Sequence, residues 1–296
     1  MRSYKELTTL EKIELIVKSI VLRNKIICHD YNRRATTQKV NVNYWKINSL
    51  SGEDNLGDYL SLIVVENMIK MNNIDSSKTL KKTKHLYAVG SILFTGFQDC
   101  TVWGTGIIRE YNKTVSEKIT LLFNKYFRKL DIRCVRGPKT RQFLLENGIK
   151  CPECYGDPAI LMPIFYKAEQ TNKKRDYLIV LHYTSEIVDA KHSISMKTSD
   201  YKRVIDDICS SKKVVTNSLH GLILAESYGV PAVVFNLEED FNMLKYDDYY
   251  MSTNRNEYPV AKSIEEAIHI EPLELPNLKL LQDRLIRIFP ADVWKD

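Results

Sequence analysis

No long apolar run occurs in the 296 residues of the chain. A transmembrane helix needs roughly 18 or more consecutive apolar residues, and no stretch approaches that length. The first residues include acidic side chains and lack an apolar core, so they do not have the pattern of a signal peptide. These absences predict a cytoplasmic protein, for which the expected membrane association is peripheral contact at the inner face.

Metal and nucleotide motifs are also scarce. The six cysteines are scattered, and Cys151-Pro-Glu-Cys154 has no second pair to complete a tetrahedral zinc site. We therefore expect no metal. The sequence contains neither GxGxxG nor GxxxxGK, so a simple dinucleotide or ATP site is not supported.

Charge of one sign is not concentrated in any segment. The 43 basic and 37 acidic residues give a net charge of +6, which suits an anionic ligand or a membrane surface but is also ordinary for a soluble protein. Basic residues form only short groups without interleaved aromatic side chains, so we expect no nucleic acid partner.

The sequence does contain short apolar strands that alternate with loops and helices, as is typical of an α/β protein with parallel sheets. The length suits two domains. We predict an N-terminal helix and linker over 1–40, a first domain over 41–168, a second domain over 174–270, and a C-terminal helix and tail over 271–296. The amphipathic helix over 5–27 either packs on the body of the protein or lies against a membrane or a partner.

The stretch 213–235 has the clearest pattern, with a strand, a polar turn, a helix and another strand. The turn, Asn217-Ser218, lies at the carboxyl end of a strand, where open α/β sheets bind ligands. Either residue can cap the helix, whose free N–H groups favour an anion. His220 stands in the first turn of that helix. We therefore expect a phosphate or carboxylate ligand, with His220 as the titrating group.

Other polar residues follow predicted strands elsewhere in the chain. Arg136 is the first residue after one strand, and its planar guanidinium can bind two oxygens of a carboxylate or phosphate. Asp157 faces the same end of the sheet. It is either a base or the residue that holds Arg136 in place, and the second role is the preferred one. His182 ends the first strand of the second domain and is a further candidate.

Glycine-bearing loops supply the remaining candidates in the first domain. Glycine after a strand lets a ligand approach the backbone closely. The first loop ends at Asp58, which either contacts a substrate hydroxyl or simply caps the following helix. The candidates in these loops are Asn55, Gly57, Asp58, Ser91, Gly104 and Gly106.

Several of these landmarks form an ordered set of motifs. They are Asn-Leu-Gly-Asp (55–58), Val-Gly-Ser-Ile (89–92), Trp-Gly-Thr-Gly (103–106), Val-Arg-Gly-Pro (135–138), Gly-Asp-Pro-Ala (156–159), Ser-Leu-His-Gly (218–221), Gly-Val-Pro (229–231) and Asp-Tyr-Tyr (248–250). In this order they resemble the polysaccharide pyruvyl transferase family. Singly the motifs are weak, but the ordered set is specific, and the resemblance covers roughly residues 43–255.

The resemblance implies two Rossmann-like domains with parallel sheets facing a cleft, similar to the GT-B glycosyltransferase fold. It also implies transfer of pyruvate from phosphoenolpyruvate to a sugar of a surface polysaccharide precursor, as a cyclic ketal, with release of phosphate. The acceptor would be a sugar or a lipid-linked oligosaccharide. Phosphoenolpyruvate would be a co-substrate, and no cofactor is implied.

The family's His-Gly motif matches His220-Gly221, and its arginine after the mid-chain strand matches Arg136. We expect His220 to act as general acid or as the cation on the leaving phosphate, with Asp157 as the second catalytic residue. The donor site would comprise Arg136, Asn217, Ser218, Gly221 and His182, and the glycine loops of the first domain would hold the acceptor. In several members an arginine stands where this chain has Ser218. Another cation, or the Ser218 hydroxyl with the helix amides, must then hold the donor.

Two other functions stay open. A nucleotide-sugar-dependent glycosyltransferase of the same GT-B-like architecture would hold its nucleotide with Glu226 and the second domain. A non-catalytic glycan- or phosphate-binding module would bind without turnover.

Overall fold

The computed structural model describes residues 39–45, 53–111, 113–169, 174–187, 191–236 and 242–296. The helix predicted over 5–27 lies outside the described residues, as does much of the loop before Asn55. Within the described ranges, no helix combines the length and the apolar character needed to cross a membrane.

The first half of the chain forms a parallel sheet. Its strands lie in chain order: β1 (Val40–Asn43), β2 (Lys84–Tyr87), β3 (Cys100–Trp103) and β4 (Leu130–Cys134). Helix α1 (Leu56–Met71) connects β1 to β2, α2 (Val115–Tyr126) connects β3 to β4, and α3 (Pro138–Glu146) follows β4. Helical crossovers of this kind are what parallel neighbours require, because a tight hairpin can join only antiparallel strands.

A short helical segment follows the first sheet, with a 3-10 helix at Pro158–Leu161 and α4 at Met162–Phe165. The second sheet then has the order β6-β5-β7-β8-β9, and all its pairs are parallel. Its strands are β5 (Leu178–Leu181), β6 (Ser193–Ser195), β7 (Val214–Thr216), β8 (Ala232–Phe235) and β9 (Val260–Ala261). Its helices are α5 (Tyr201–Cys209), α6 (Leu219–Ser227), α7 (Leu244–Ser252) and α8 (Ile264–His269).

The α/β prediction is confirmed, and so is the local pattern of the stretch 213–235. Strands β5 and β8 are buried along their whole length, as expected of parallel strands covered on both faces. Helix α6 ends just before Gly229, whose φ of +74° is the left-handed conformation that favours glycine. The sequence analysis missed β6 and β9, because strands of three and two residues carry almost no periodic signal.

The C-terminal segment returns to the first sheet. Helix α9 (Lys279–Arg287) and a final 3-10 helix (Ala291–Trp294) pack beside it. Trp103 on β3 donates its indole N–H to the carbonyl oxygen of Leu285 at 3.1 Å, and its ring lies 4.9 Å from that of Phe289. The predicted C-terminal helix is therefore present, in contact with the first sheet.

The largest apolar cluster contains residues from both halves of the chain. Leu60 on α1 and Trp103 on β3 belong to it, together with Val180 on β5 and Leu224 on α6. Full burial of a large apolar side chain contributes about 1.5–3 kcal/mol, so this shared cluster holds the two halves together. The domain boundaries and the GT-B-like arrangement stay predictions.

Candidate active site

A cavity of about 570 Å³ lies where the carboxyl ends of strands from both sheets meet. In the second sheet it lies beside β5, where the chain passes first to β6 on one side and then to β7 on the other, so the strand order reverses at a topological switch point. The first half contributes Trp45, Asn55, Asp58, Ser91, Ile92, Thr95, Ile108, Arg109, Tyr111, Ser116, Glu117 and Thr120. The second half contributes His182, Tyr183, Ser218, Leu219, His220 and Lys245.

Helix α6 places His220 on the cavity wall beside a buried carboxylate. His220 is 8% exposed and Asp157 is 1% exposed, and His220 Nε2 lies 3.6 Å from Asp157 Oδ2. Asp157 Oδ1 accepts a hydrogen bond from the amide of Ala159 at 3.0 Å, which fixes the carboxylate at the start of the 3-10 helix. The remaining oxygen, Oδ2, faces the histidine. Neither Oδ2 nor Nε2 has a hydrogen-bond partner within the described ranges.

This placement corrects the preferred role of Asp157. We expected it to hold Arg136, but the charged group that it faces is His220. A carboxylate beside an imidazole can orient the ring and stabilise its protonated form. The structure therefore brings together the two residues that the sequence analysis proposed as catalytic.

Arg136 is fully buried and does not line the cavity. Its Nε donates to Asp248 Oδ2 at 3.0 Å, Nη1 to Ser91 Oγ at 2.6 Å and Nη2 to the carbonyl oxygen of Ile107 at 2.9 Å. Asp248 also accepts hydrogen bonds from the amide and the hydroxyl of Thr140. The predicted clamp of Arg136 on a donor anion is thus not formed here, since the guanidinium is bonded to the protein at all three nitrogens. Arg136 instead holds Ser91, which does line the cavity.

Three predicted acceptor-binding glycines accommodate the protein's own side chains. A Cβ at Gly106 would lie 2.6 Å from the Arg136 guanidinium carbon, and a Cβ at Gly104 would lie 2.3 Å from Cδ of Pro158. A Cβ at Gly57 would lie 2.2 Å from His220 Nδ1. None of the three lines the cavity. These glycines mark close approach, as predicted, but the approaching groups belong to this chain.

The turn before α6 serves the roles expected of a cap. The Ser218 hydroxyl accepts a hydrogen bond from the amide of Gly221 at 3.3 Å, and Ser218 also lines the cavity. Asn217 lies away from the cavity lining. Its Oδ1 accepts from the amide of His182 at 2.7 Å, and its Nδ2 donates to Ser185 at 3.0 Å. Asn217 therefore anchors the loop that carries His182.

Gly221 has a packing role within the same turn. A Cβ there would lie 2.7 Å from the Thr216 hydroxyl and 2.8 Å from the Val180 side chain. Its lack of a side chain lets α6 pack closely on β5 and β7, and it does not line the cavity.

Asn55 and Asp58 lie at the start of α1, beside the Gly57 that contacts the His220 ring. Asn55 is the N-cap residue, and its Nδ2 donates to Asp58 Oδ2 at 2.7 Å. The alternative in which Asp58 caps the helix is therefore wrong, because Asn55 holds that position. Burial raises the pKa of the Asp58 carboxyl to about 6, although His220, the Asn55 hydrogen bond and Lys245 favour its charged form.

Lys245, at the start of α7, is a cavity residue that the sequence analysis missed. The only signal was its position after β8 in a segment rich in aspartate and tyrosine, which does not single out a lysine. Burial lowers the pKa of His182 to about 4, with smaller contributions from Lys245 and His220. His182 is therefore neutral near pH 7 and does not offer a positive charge to an anionic donor there.

Glu226 lies apart from the cavity, on the far half of α6. Arg255 donates to both of its carboxylate oxygens at 2.7 and 2.6 Å, and the Tyr249 hydroxyl donates to Oε2 at 2.7 Å. A buried carboxylate bonded in this way has no capacity for a nucleotide. The role given to Glu226 in the glycosyltransferase alternative is thus not supported.

The chain is similar to two proteins without an assigned function. It is 27% identical over 197 residues to uncharacterized protein L143 of Acanthamoeba polyphaga mimivirus, which covers 60% of this chain and 62% of the viral protein. The chain thus spans less than two thirds of that relative. A solved structure of an uncharacterized protein from Klebsiella pneumoniae subsp. pneumoniae superposes with a TM-score of 0.46 at 12% identity, covering 86% of this chain and 97% of that one.

The family comparison is the informative one. The family model described as polysaccharide pyruvyl transferase matches residues 16–239. That range includes the turn with His220, the buried Asp157 and the loops that line the cavity. The resemblance seen in the ordered motifs is confirmed, and the chain belongs to the polysaccharide pyruvyl transferase family.

Proposed function

We propose that the protein transfers pyruvate from phosphoenolpyruvate to a sugar of a polysaccharide precursor, forming a cyclic ketal and releasing phosphate. Membership of a transferase family supports an enzyme that acts on polysaccharide. The observation that carries the finer proposal is the His220–Asp157 pair on a cavity wall, with hydrogen-bonding capacity left on both groups. Such a pair suits proton transfer to a bound substrate.

The donor end of the cavity would be the start of α6. Phosphoenolpyruvate carries a phosphate and a carboxylate, and the amides at a helix N-terminus favour such anions. Ser218 lines this end, and Lys245 lines the same cavity. In this proposal Lys245 would supply the cation that the chain lacks at position 218, where several family members have an arginine.

His220 would donate the proton that the methylene carbon of phosphoenolpyruvate needs. Protonation there makes the neighbouring carbon electrophilic, so that a sugar hydroxyl attacks it. Asp157, beside the ring, would hold the imidazole in place and stabilise its protonated form. A second hydroxyl then closes the ketal as phosphate leaves.

The acceptor would enter from the side of α1. Trp45 and Tyr111 line the cavity, and aromatic rings offer flat apolar surfaces to the faces of a sugar. Whether the acceptor is free or lipid-linked decides whether the protein works at the inner face of a membrane. A lipid-linked acceptor would favour peripheral membrane contact.

Donor use is the direct test. The protein is incubated with phosphoenolpyruvate and candidate glycan repeat units, and released phosphate and product mass are measured. We expect phosphate release and a product heavier by one pyruvate less one water. Turnover of a nucleotide sugar without use of phosphoenolpyruvate would instead establish the glycosyltransferase alternative. Glycan binding without consumption of either donor would establish the binding module.

A further inference from the structure

The Asp58 carboxylate lies in the cavity wall between Asn55 and Gly90. Its side chain lines the cavity and is buried, and Asn55 fixes Oδ2 through a 2.7 Å hydrogen bond. The other oxygen, Oδ1, lies over Gly90, where an added Cβ would be only 2.0 Å away. Gly90 also has a φ of +103°, which side chains rarely adopt. Asn55 therefore fixes one carboxylate oxygen by a hydrogen bond, and the missing side chain of Gly90 leaves room for the other.

Titratable groups from four other elements surround this carboxylate. His220 on α6 and Lys245 on α7 favour its ionised form, while Asp157 and burial oppose it. Burial raises the pKa of Tyr183, which follows β5, and Asp58 adds a smaller contribution in the same direction. The balance leaves Asp58 with a pKa of about 6. Such a group is mostly ionised at pH 7 and is a stronger base than an exposed aspartate.

The proposed reaction needs two proton movements of opposite sense. The methylene carbon of phosphoenolpyruvate gains a proton, and the attacking hydroxyl loses one. His220 supplies the first and cannot accept the second while it is still protonated. Asp58 lines the cavity next to Gly57, which contacts the His220 ring, and it interacts electrostatically with both His220 and Lys245.

We propose that Asp58 is the general base that takes the proton of the attacking acceptor hydroxyl. The hydroxyl oxygen forms a bond to C2 of phosphoenolpyruvate, the C2=C3 electron pair takes the proton of His220 at C3, and the hydroxyl proton passes to Asp58. When the second hydroxyl attacks, the bond from C2 to the phosphate oxygen breaks. Its electron pair leaves with the phosphate, which accepts the proton from Asp58, and the second hydroxyl returns a proton to His220.

This role rests on the proposed function, and Asp58→Asn tests it separately. Wild-type phosphate release is measured first, with phosphoenolpyruvate and an acceptor glycan. The variant is then compared for kcat, for its dissociation constant for phosphoenolpyruvate, and for the pH dependence of kcat/KM for the acceptor. Asp131→Asn is the matched control, because Asp131 pairs with Arg133 and does not line the cavity.

We expect Asp58→Asn to lower kcat about a thousandfold, within the range for general bases, and to leave the dissociation constant for phosphoenolpyruvate within about twofold. The acid limb of the wild-type profile, near pH 6, should disappear in the variant. A variant that keeps more than about a tenth of kcat, or that keeps the acid limb, overturns the base role alone. Loss of phosphoenolpyruvate binding overturns it in favour of a donor-binding role. A wild type that releases no phosphate rejects the proposed function, and the base role with it.

Discussion

Two buried pairs of ionisable side chains in this protein differ in how completely they are hydrogen-bonded. Arg136 and Asp248 are both fully buried, lie 3.0 Å apart and make further hydrogen bonds to Ser91, Thr140 and a backbone carbonyl. The His220–Asp157 pair is nearly as buried, yet its closest atoms are 3.6 Å apart and have no hydrogen-bond partner in the described part of the chain.

The difference in hydrogen bonding distinguishes a pair that stabilises the fold from a pair that is available to a ligand. Burying a charge is costly unless it is paired and hydrogen-bonded, so a fully bonded pair is held in a single arrangement. A pair with unused bonding capacity is costly to keep and is retained where a ligand completes it, as at functional sites. We therefore assign the Arg136–Asp248 pair to the fold and propose that the His220–Asp157 pair is catalytic.

The largest expected change is a loss of stability on removal of Asp248, which breaks its ion pair with Arg136. Asp248→Ala leaves the Arg136 guanidinium buried without its counter-charge, which should lower the free energy of unfolding by about 3–5 kcal/mol. Urea denaturation followed by circular dichroism measures this loss. Asp292→Ala is the control, because Asp292 forms a more exposed pair with Arg133 at 2.8 Å and should cost about 1 kcal/mol or less. Equal losses in the two variants would contradict the assignment.

Removal of the His220 imidazole should lower turnover strongly and change stability little, the reverse of the effect expected for Asp248. His220→Gln is expected to lower turnover at least a hundredfold, equivalent to about 2.7 kcal/mol, because the proton donor is lost. The free energy of unfolding should change little, since Nε2 of the ring has no hydrogen-bond partner among the described residues that the variant would lose. Phosphate release and urea denaturation are measured together. His269→Gln, on the exposed surface of α8, should leave both unchanged. An active His220→Gln enzyme would remove the histidine from the mechanism.

These two pairs also show what could be read from the sequence. The turn with Ser218 and His220 was predictable, because strand, cap and helix start follow one another within a few residues. Arg136 was correctly placed at a strand end, but Asp248 lies 112 residues further along the chain. No local pattern reports such a pairing, so a structural arginine was interpreted as a donor-binding one.

The glycines and Lys245 show the same limit. A glycine after a strand indicates close approach, but not whether the approaching group is a ligand or a side chain such as Arg136 beside Gly106. Lys245 reaches the cavity only because α7 packs against the rest of the fold. The fold class followed from local periodicity, whereas the partners within the site depended on contacts between distant segments.

The buried Asp58 carboxylate should also lower the stability of the folded protein at neutral pH. Its pKa is raised from 3.8 to about 6, so the ionised form is disfavoured in the folded state. The stability associated with the protonated carboxyl is complete below about pH 4 and is lost as pH rises through about 6. Asp58→Asn should therefore be more stable than the wild type at pH 7, by about 2–3 kcal/mol. Below about pH 4 the Asp58 carboxyl is protonated in the folded and the unfolded wild type, so this advantage of the variant should disappear. Urea denaturation of both proteins at pH 4 and pH 7 measures this difference in stability. A smaller gain for the variant at pH 7 than at pH 4 would contradict the prediction.

The smallest expected effect concerns the space around His220. A methyl group at Gly57 would lie 2.2 Å from Nδ1, so Gly57→Ala should displace the ring from its position beside Asp157. Misplacement of a catalytic group by less than 1 Å is enough to lower turnover about tenfold, or about 1.4 kcal/mol. Gly229→Ala is the counterpart, because its Cβ would meet nothing within 4 Å but its φ of +74° disfavours a side chain. That variant should lose about 1 kcal/mol of stability and keep its turnover. If Gly57→Ala also loses only stability, Gly57 belongs to packing, and the position of the ring is not what limits catalysis.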